Sequence, residues 1–530
     1  MHIYNNIHSI YCQEKSYDRN RQNTYIHYIS SHIKMLIIIY CFRWISLKKS
    51  QTFLVNSIIL IFTSLITRII SSLFDIYIAN KIGSETLGVF GLISSIYFFG
   101  ITVASSGINL STTKVISEEL EKNSSIDTKY ILKISLFFSF ITGVLSCIIL
   151  SFFAPYITKE ILYSKVSNLV IYILALSLPF IAFSLSLSSY FLAKRNVLSS
   201  SINQIATQFV RIVVVFITLN VFAKDINSAV LCLVLGTTIS EIASLVFHYL
   251  VYLKESKSYI SANLTRSKKL HLRMLKIAIP IAITSYIRAG LNSIKHVLTP
   301  LRLKLTGISY ELALQNYGII TGMAMPIIMF GSVIVYSFSS LLVPEFSRYS
   351  VNDKKKEMGK DIHKLFKITL YFSIGLTGIL MYFGNEIGYL IYNHFEAGHY
   401  IKLIAPLIPL IYLDNVIDNT LKGLGKQVSV MICNIFDMVI SISFIYFLLP
   451  NTGATGYIIV MYISEILNYI ISVNTLFKTA NIHFKYFEWV IFPVICIALS
   501  LFITSFFAVP LILKLTLAIL IYLFLLTIEI

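Results

Sequence analysis

The sequence predicts an all-α polytopic membrane protein: about fourteen transmembrane helices, in two six-helix lobes forming a parallel repeat, plus a C-terminal helix pair. Three observations predict it. The 530 residues are 56% hydrophobic and only 13% charged, with a mean hydropathy of +0.78. A soluble chain of this length could not cover that much apolar surface. Apolar runs long enough to cross a bilayer recur about fourteen times. Short motifs of the first half also return, in order, in the second. Ile66-Thr67-Arg68, followed by Asp75, has a counterpart in Tyr286-Ile287-Arg288, followed by Lys295. Phe90-Gly91-Leu92-Ile93-Ser94 returns as Tyr317-Gly318-Ile319-Ile320-Thr321, and Leu178-Pro179-Phe180-Ile181 as Ile408-Pro409-Leu410-Ile411. The offsets are 220, 227 and 230 residues. Duplicated membrane bundles place substrate pathways at the interface between the copies.

The expected spans lie near 53–78, 87–109, 130–155, 167–192, 202–223 and 229–252 in the first copy. In the second they lie near 274–299, 313–342, 364–387, 400–421, 428–449 and 454–477, followed by 487–506 and 508–528. Six spans per copy keep both copies in one orientation, so the duplication is parallel. Residues 47–260 form the expected N-lobe, 261–480 the C-lobe, and 481–530 the appended hairpin. Residues 1–46, rich in Tyr, His, Asn and Arg and without helical periodicity, are expected to be a disordered tail or upstream sequence read from an early start codon. They lack the basic start and small-residue cleavage site of a signal peptide.

A net charge of +18 does not imply nucleic acid here, because the charge is sided. Loops on one side carry about 22 Lys and Arg against about 6 on the other. The densest clusters run from Lys254 to Arg273 and from Arg348 to Lys364. This places those loops and both termini in the cytoplasm, with anionic lipid headgroups as further contacts. The six cysteines are scattered without metal or redox spacing. No nucleophile motif or Walker loop occurs, so the chain reads as a non-enzyme needing no cofactor or metal. Gly423-Leu424-Gly425-Lys426 reads as a tight turn. Pro179, Pro280, Pro326, Pro406 and Pro409 each remove a helical hydrogen bond and mark kinks.

Charges inside spans carry the functional expectation. Arg68 lies about fifteen residues into span 1, where burial costs at least ~2.5–3.5 kcal/mol. Asp75 follows two turns later on nearly the same face. Arg288, Asn292 and Lys295 form a matching stripe on span 7. Guanidinium groups pair with phosphate oxygens and stay charged, so two such stripes beside one cavity suit a pyrophosphate. The structural alternative pairs Arg68 with a carboxylate such as Glu241. Arg211 and Glu241 read as a structural pair, and Asp418 as the local partner of Lys422. Glu465 and Asn468 read as mutual or interhelical partners. Asp414 and Asp437 are the candidate ion-coupling residues.

The sequence also resembles the polysaccharide-exporter branch of the multidrug/oligosaccharidyl-lipid/polysaccharide (MOP) exporter superfamily, over about 48–480 and onward. The resemblance rests on Leu65-Ile66-Thr67-Arg68-Ile69 through Ile82-Gly83, Leu178-Pro179-Phe180 through Tyr190-Phe191, and Leu298 to Gly307. It continues through Tyr317 to Pro326, Leu341 to Ser347, and Leu421 to Gln427. It implies alternating access around a central cavity, lipid-linked oligosaccharide as substrate, and a role in spore-cortex peptidoglycan assembly, with cell-wall synthases as partners. In related lipid II flippases an arginine at the place of Arg68 lines the cavity. Those proteins have a second arginine where this chain has Phe74, and one early in span 8 with no match here. The rival readings are a cation-coupled multidrug exporter of the same fold and a non-transporting scaffold for cell-wall synthases.

Overall fold

Backbone amides that cross a bilayer must be bonded within the protein, which favours helices. Among the described residues every regular element of this chain is helical. The computed structural model describes residues 49–121, 128–256, 270–351, 355–480, 485–507 and 509–527. The expected extension 1–46 and much of the basic linker after Lys254 lie outside them. The chain divides into two compact units, residues 1–59 and 60–530. In the first, only the start of a helix from Lys49 is described.

The helices are α1 (Lys49–Ser105), α2 (Ile108–Glu121), α3 (Thr128–Tyr156), α4 (Asn168–Ala193), α5 (Val197–Phe222) and α6 (Ile226–Ser256). They continue as α7 (Leu270–Lys304), α8 (Tyr310–Gly318), α9 (Met325–Phe330), α10 (Ser332–Val351) and α11 (Lys355–Tyr392). The last are α12 (Phe395–Ile404), α13 (Ile408–Gly423), α14 (Gln427–Ala480), α15 (Phe492–Ser505) and α16 (Leu511–Thr527). Among the described residues eleven helical stretches are long and apolar enough to span a membrane, and α16 is a shorter apolar helix.

Glycine breaks account for two of the three missing spans, and the shortness of α16 for the third. A straight helix the length of α1 would measure about 85 Å, nearly three times a hydrocarbon core of about 30 Å. The helix breaks at Gly83 (φ 76°, ψ 170°), between two expected spans. α14 breaks in the same way at Gly453 (φ 65°, ψ −148°). Side chains are disfavoured in both conformations. Prolines mark the other joints. Pro326 follows the wide turn Ile319–Ala324 that links α8 to α9, and Pro406 lies in the tight turn Ala405–Leu407 ahead of α13.

The two halves share turn geometry at the motif offset of 230 residues. After α4, Arg195 takes φ 62° and the amides of Lys194, Arg195 and Asn196 bond the carbonyls of Tyr190, Leu192 and Phe191. After α13, Gly425 takes φ 75° and Leu424, Gly425 and Lys426 bond Thr420, Lys422 and Leu421 in the same pattern. Tyr163 (φ 47°) and Asn393 (φ 52°) form another such pair.

Small residues bring the helices close, as expected where lipid gives no hydrophobic drive to association. Buried Ser135, Ser139 and Ser186 join α3 to α4 by hydroxyl bonds. A Cβ at Gly143 would lie 2.9 Å from Pro179 Cα. The C-terminal helices dock on α11. Fully buried Trp489 packs against His363 and Phe366, and the Tyr522 hydroxyl donates to the Tyr371 carbonyl at 2.6 Å. Phe152, Phe447 and Phe506 are each more than 70% exposed, which is tolerable only in lipid.

The halves meet through their own repeated motif. The Leu314 carbonyl occupies the space a Cβ would take at Gly88, and the Ser84 carbonyl does so at Gly318. The Tyr317 ring would lie 3.3 Å from a Cβ at Gly91. Nearby, Lys165 is 3.1 Å from Glu85 of the first half and also pairs with Glu311 of the second. The Glu311 hydrogen bond, with lesser help from Glu85, holds the Lys165 ammonium above its ordinary pKa.

Candidate functional site

On α1, Ser64, Arg68, Ser71 and Asp75 recur at helical spacing and share one face. Exposed Phe62, Ile69 and Leu73 lie on the opposite face. One face therefore suits lipid and the other a polar interior. Arg68 and Asp75 are both accessible. On α7, Arg288, Asn292 and Lys295 share a face, turned away from exposed Ile283, Ile287 and Ile294.

In the first half the charges interact at a distance. Asp75 feels Arg211 of α5 most strongly and Arg68 next. Glu241 of α6 also feels Arg211. Neither Arg68 nor Arg211 makes a direct ion pair among the described residues, and Arg211 Nε is buried without a protein hydrogen-bond partner. Arg211 thus acts on Glu241, the partner its sequence position suggests, and also on Asp75.

In the second half most groups are engaged. Lys295 Nζ donates to Ser441 Oγ at 3.4 Å, Ser441 contacts Ser464 at 2.9 Å, and Ser464 donates to Asp437. Glu465 lies within electrostatic reach of Asp437 and Lys295. Asp418 pairs with Lys422 at 3.7 Å, as its spacing predicts, and accepts from Asn434 at 3.4 Å. Arg288 acts on Asp418 from α7. Asp414 and Asp437 fall within electrostatic reach of each other, together with Asp418 and Glu465. Asp414 Oδ1 is buried without a partner. Asn292 is half-buried and makes no side-chain hydrogen bond among the described residues.

The structure thus joins Arg68 to Asp75, Lys295 to Asp437, and Asp414 to Asp437, while no direct interaction joins Arg68 to Arg288. Arg211, Asn434, Ser441 and Ser464 were missed as site residues. Asn434, Asp437 and Ser441 follow i, i+3, i+7 spacing, a face that periodicity alone could have flagged. Among the described residues no group of three His, Cys, Asp or Glu side chains is arranged to hold a metal.

Residues 53–350 match the family model described as polysaccharide biosynthesis protein, and residues 320–447 match the MatE model. Stage V sporulation protein B of Bacillus subtilis (strain 168) is 25% identical over 460 residues, covering 84% of this chain and 88% of that protein. The lipid II flippase MurJ in its inward closed conformation superposes with a TM-score of 0.65 at 14% identity, over 88% of this chain and 98% of that one. An inward-facing multidrug-resistance MATE transporter of the MOP superfamily gives a TM-score of 0.62 at 14% identity, over 78% and 95%. The fold is that of these multi-pass transporters.

Proposed function

The chain belongs to the polysaccharide biosynthesis protein family, and from that premise we propose that it is a flippase translocating undecaprenyl-linked saccharide precursors across the cytoplasmic membrane by alternating access. Its role in this reading is supply of precursors for spore-cortex peptidoglycan. One observation carries it. Arg68 and Asp75 sit on an accessible polar face, with Arg211 beside them and no direct protein ion pair holding either arginine. Such unclaimed guanidinium groups are suited to a pyrophosphate, which takes paired N–H donors. Arg288 supplies a third cation, and Asn292 a polar neighbour on its face.

The substrate's other end is apolar. A crevice of about 390 Å³ between α1 and α7, lined by Ile96, Phe99, Gly290, Ile294, Val297 and Leu298 among others, suits a polyprenyl chain. The lobes 47–260 and 261–480 would rock against each other, with 481–530 riding on α11. The Gly88/Gly318 contact and the Lys165 bridges would close the exit side, both termini lying in the cytoplasm. The function needs no chemical step by the protein.

The test is translocation of a fluorescent undecaprenyl-pyrophosphate-linked sugar in proteoliposomes. Protein-dependent flipping, lost in Arg68→Ala with Arg211→Ala, supports the reading; a folded wild type that neither binds nor flips the lipid overturns it. A second reading, cation-coupled multidrug export, is favoured by the acidic group Asp414, Asp418, Asp437 and Glu465 and by the MatE match over 320–447. In that reading Asp414 and Asp437 hold the coupling ion. Transport of a hydrophobic cation, abolished in Asp414→Asn, would select it.

A further inference from the structure

A second polar line runs through the first half, away from the Arg68 face. On α5, Ser200, Asn203, Thr207 and Arg211 recur at helical spacing, opposite lipid-exposed Ile202, Phe209 and Phe216. On α6, Thr237, Glu241, Ser244, His248 and Glu255 do the same, opposite exposed Ile239, Val246 and Leu250. The two lines face each other. Asn203 Nδ2 donates to Ser244 Oγ at 2.8 Å and to His248 Nδ1 at 3.2 Å. Gly236 of α6 packs on Val215 and the Arg211 backbone. From α4, Ser184 contacts both Ser244 (2.7 Å) and His248 Nδ1 (2.9 Å), and Ser188 contacts Ser200 at 3.1 Å. Lys194 and Glu255, 3.4 Å apart, close one end of the line, while Arg211 and Glu241 lie at the other.

The line is incompletely satisfied by protein. Asn203 is 5% exposed and His248 3%. Yet Asn203 Oδ1, Thr207 Oγ1, Arg211 Nε, His248 Nε2 and Glu255 Oε2 are all buried with no protein hydrogen-bond partner. Nδ1 of His248 accepts from the Asn203 amide, so the ring proton resides on the unbonded Nε2. Each buried polar atom left without a partner costs about 1–3 kcal/mol, and five along one seam of spanning helices call for something that bonds them all. Water does so in polar, buried sites. Intramembrane chains of His and Glu side chains are also the usual means of relaying protons.

We propose that the α4–α5–α6 seam is a hydrated proton path joining the Lys194–Glu255 end of the bundle to Glu241 and Arg211 at the cavity. A proton moving along the seam is taken up at Nδ1 of His248 from the Ser184 hydroxyl, which is reprotonated by its neighbour, while Nε2 releases its own proton to water. The proton comes to rest on the Glu241 carboxylate, and return of the ring to its first tautomer resets the path. No oxidant or cofactor is required. The titratable and charged neighbours of His248 and the seam are Lys194, Tyr190 and Tyr252 at the closed end, with Glu255, and Arg211, Glu241 and Asp75 at the cavity. Phe191, itself fully buried, stacks on the His248 ring. The path rests on the flippase reading only for what the proton drives.

The experiment uses the purified full chain in liposomes holding a pH-sensitive dye, with a potassium–valinomycin potential imposed. Wild type should carry protons above empty liposomes. Asn203→Leu with His248→Phe, which lines the seam with apolar groups, should lower that flux at least tenfold, and Thr207→Val should lower it severalfold. Thermal unfolding of the same preparations reports folding, and binding of undecaprenyl-pyrophosphate-linked sugar should persist in both variants. Folded variants that carry protons at the wild-type rate would overturn the proposal, as would a lipid-binding wild type with no flux. The latter leaves the flippase reading standing; loss of lipid binding by wild type removes that reading without touching the proton measurement.

Discussion

The two halves carry matching motifs and matching turns but treat their charges differently. In the second, Lys295, Ser441, Ser464 and Asp437 form a chain of hydrogen bonds, and Asp418 holds Lys422 and Asn434. In the first, Arg68, Asp75, Arg211 and Glu241 act on one another only through space. A buried charge that is already bonded has little left to offer a ligand, and removing its partner mainly costs stability. An unbonded guanidinium is prepared to exchange solvent for phosphate. In the proposed flippase the first half would therefore be the binding wall and the second a braced wall, with Arg288 as its cation for the headgroup.

The largest expected effect comes from erasing the binding wall. Hydrogen bonds to charged groups contribute about 1.5–3 kcal/mol each, so Arg68→Ala with Arg211→Ala should weaken headgroup binding about 100-fold or more. Titration with undecaprenyl pyrophosphate measures it. Next is the contact between halves. A methyl group at Gly318 overlaps the Ser84 carbonyl, and overpacking of this kind costs about 1–3 kcal/mol. Gly318→Ala should lower the melting temperature or, if the halves part to relieve it, trap the opposite conformation; distances between spin labels on the two halves separate these outcomes.

Breaking the bracing should be milder for binding and plainer for stability. Ser464→Ala leaves Asp437 and Ser441 without their shared partner and should cost about 1–3 kcal/mol, with lipid affinity changed less than severalfold. A larger loss of affinity would erase the distinction between the halves. The smallest effect belongs to Lys165→Ala, because its closer partner Glu311 is largely exposed and its bridge is screened by solvent. It should speed opening modestly, and less so in high salt. Because the Lys165 pKa is raised, its bridges hold throughout neutral pH. They weaken in alkali, as pH rises through the folded Lys165 value, and in acid, as pH falls through the Glu311 value that Lys165 holds below the ordinary one; thermal stability followed from pH 7 to pH 11 in wild type and Lys165→Ala checks the alkaline sign.

Much of this was legible in the chain. Apolar length gives the spanning helices, and the order of Arg68, Gly91 and Pro179 with their counterparts gives the duplication. Arg68 and Asp75 were visible because two helical turns separate them on one helix. The engagement of Lys295 was not, since its partner Ser441 lies 146 residues away and serine carries no charge to flag it. Pairing Arg211 with Glu241 on neighbouring spans 5 and 6 is reasonable from sequence, and the two do act on each other electrostatically; the further effect of Arg211 on Asp75 depends on packing between helices distant in sequence. Gly83 and Gly453 show a further limit, because hydropathy marks the apolar runs on either side of a break without revealing that helix continues up to it from both.

The most direct test of the central claim is native mass spectrometry with undecaprenyl-pyrophosphate-linked sugar, comparing Arg68→Ala/Arg211→Ala with Lys295→Ala/Asp437→Asn. The account predicts that the first pair abolishes specific binding and the second largely retains it. Retention by the first pair with loss in a folded second pair would contradict it and move the binding wall to the other half.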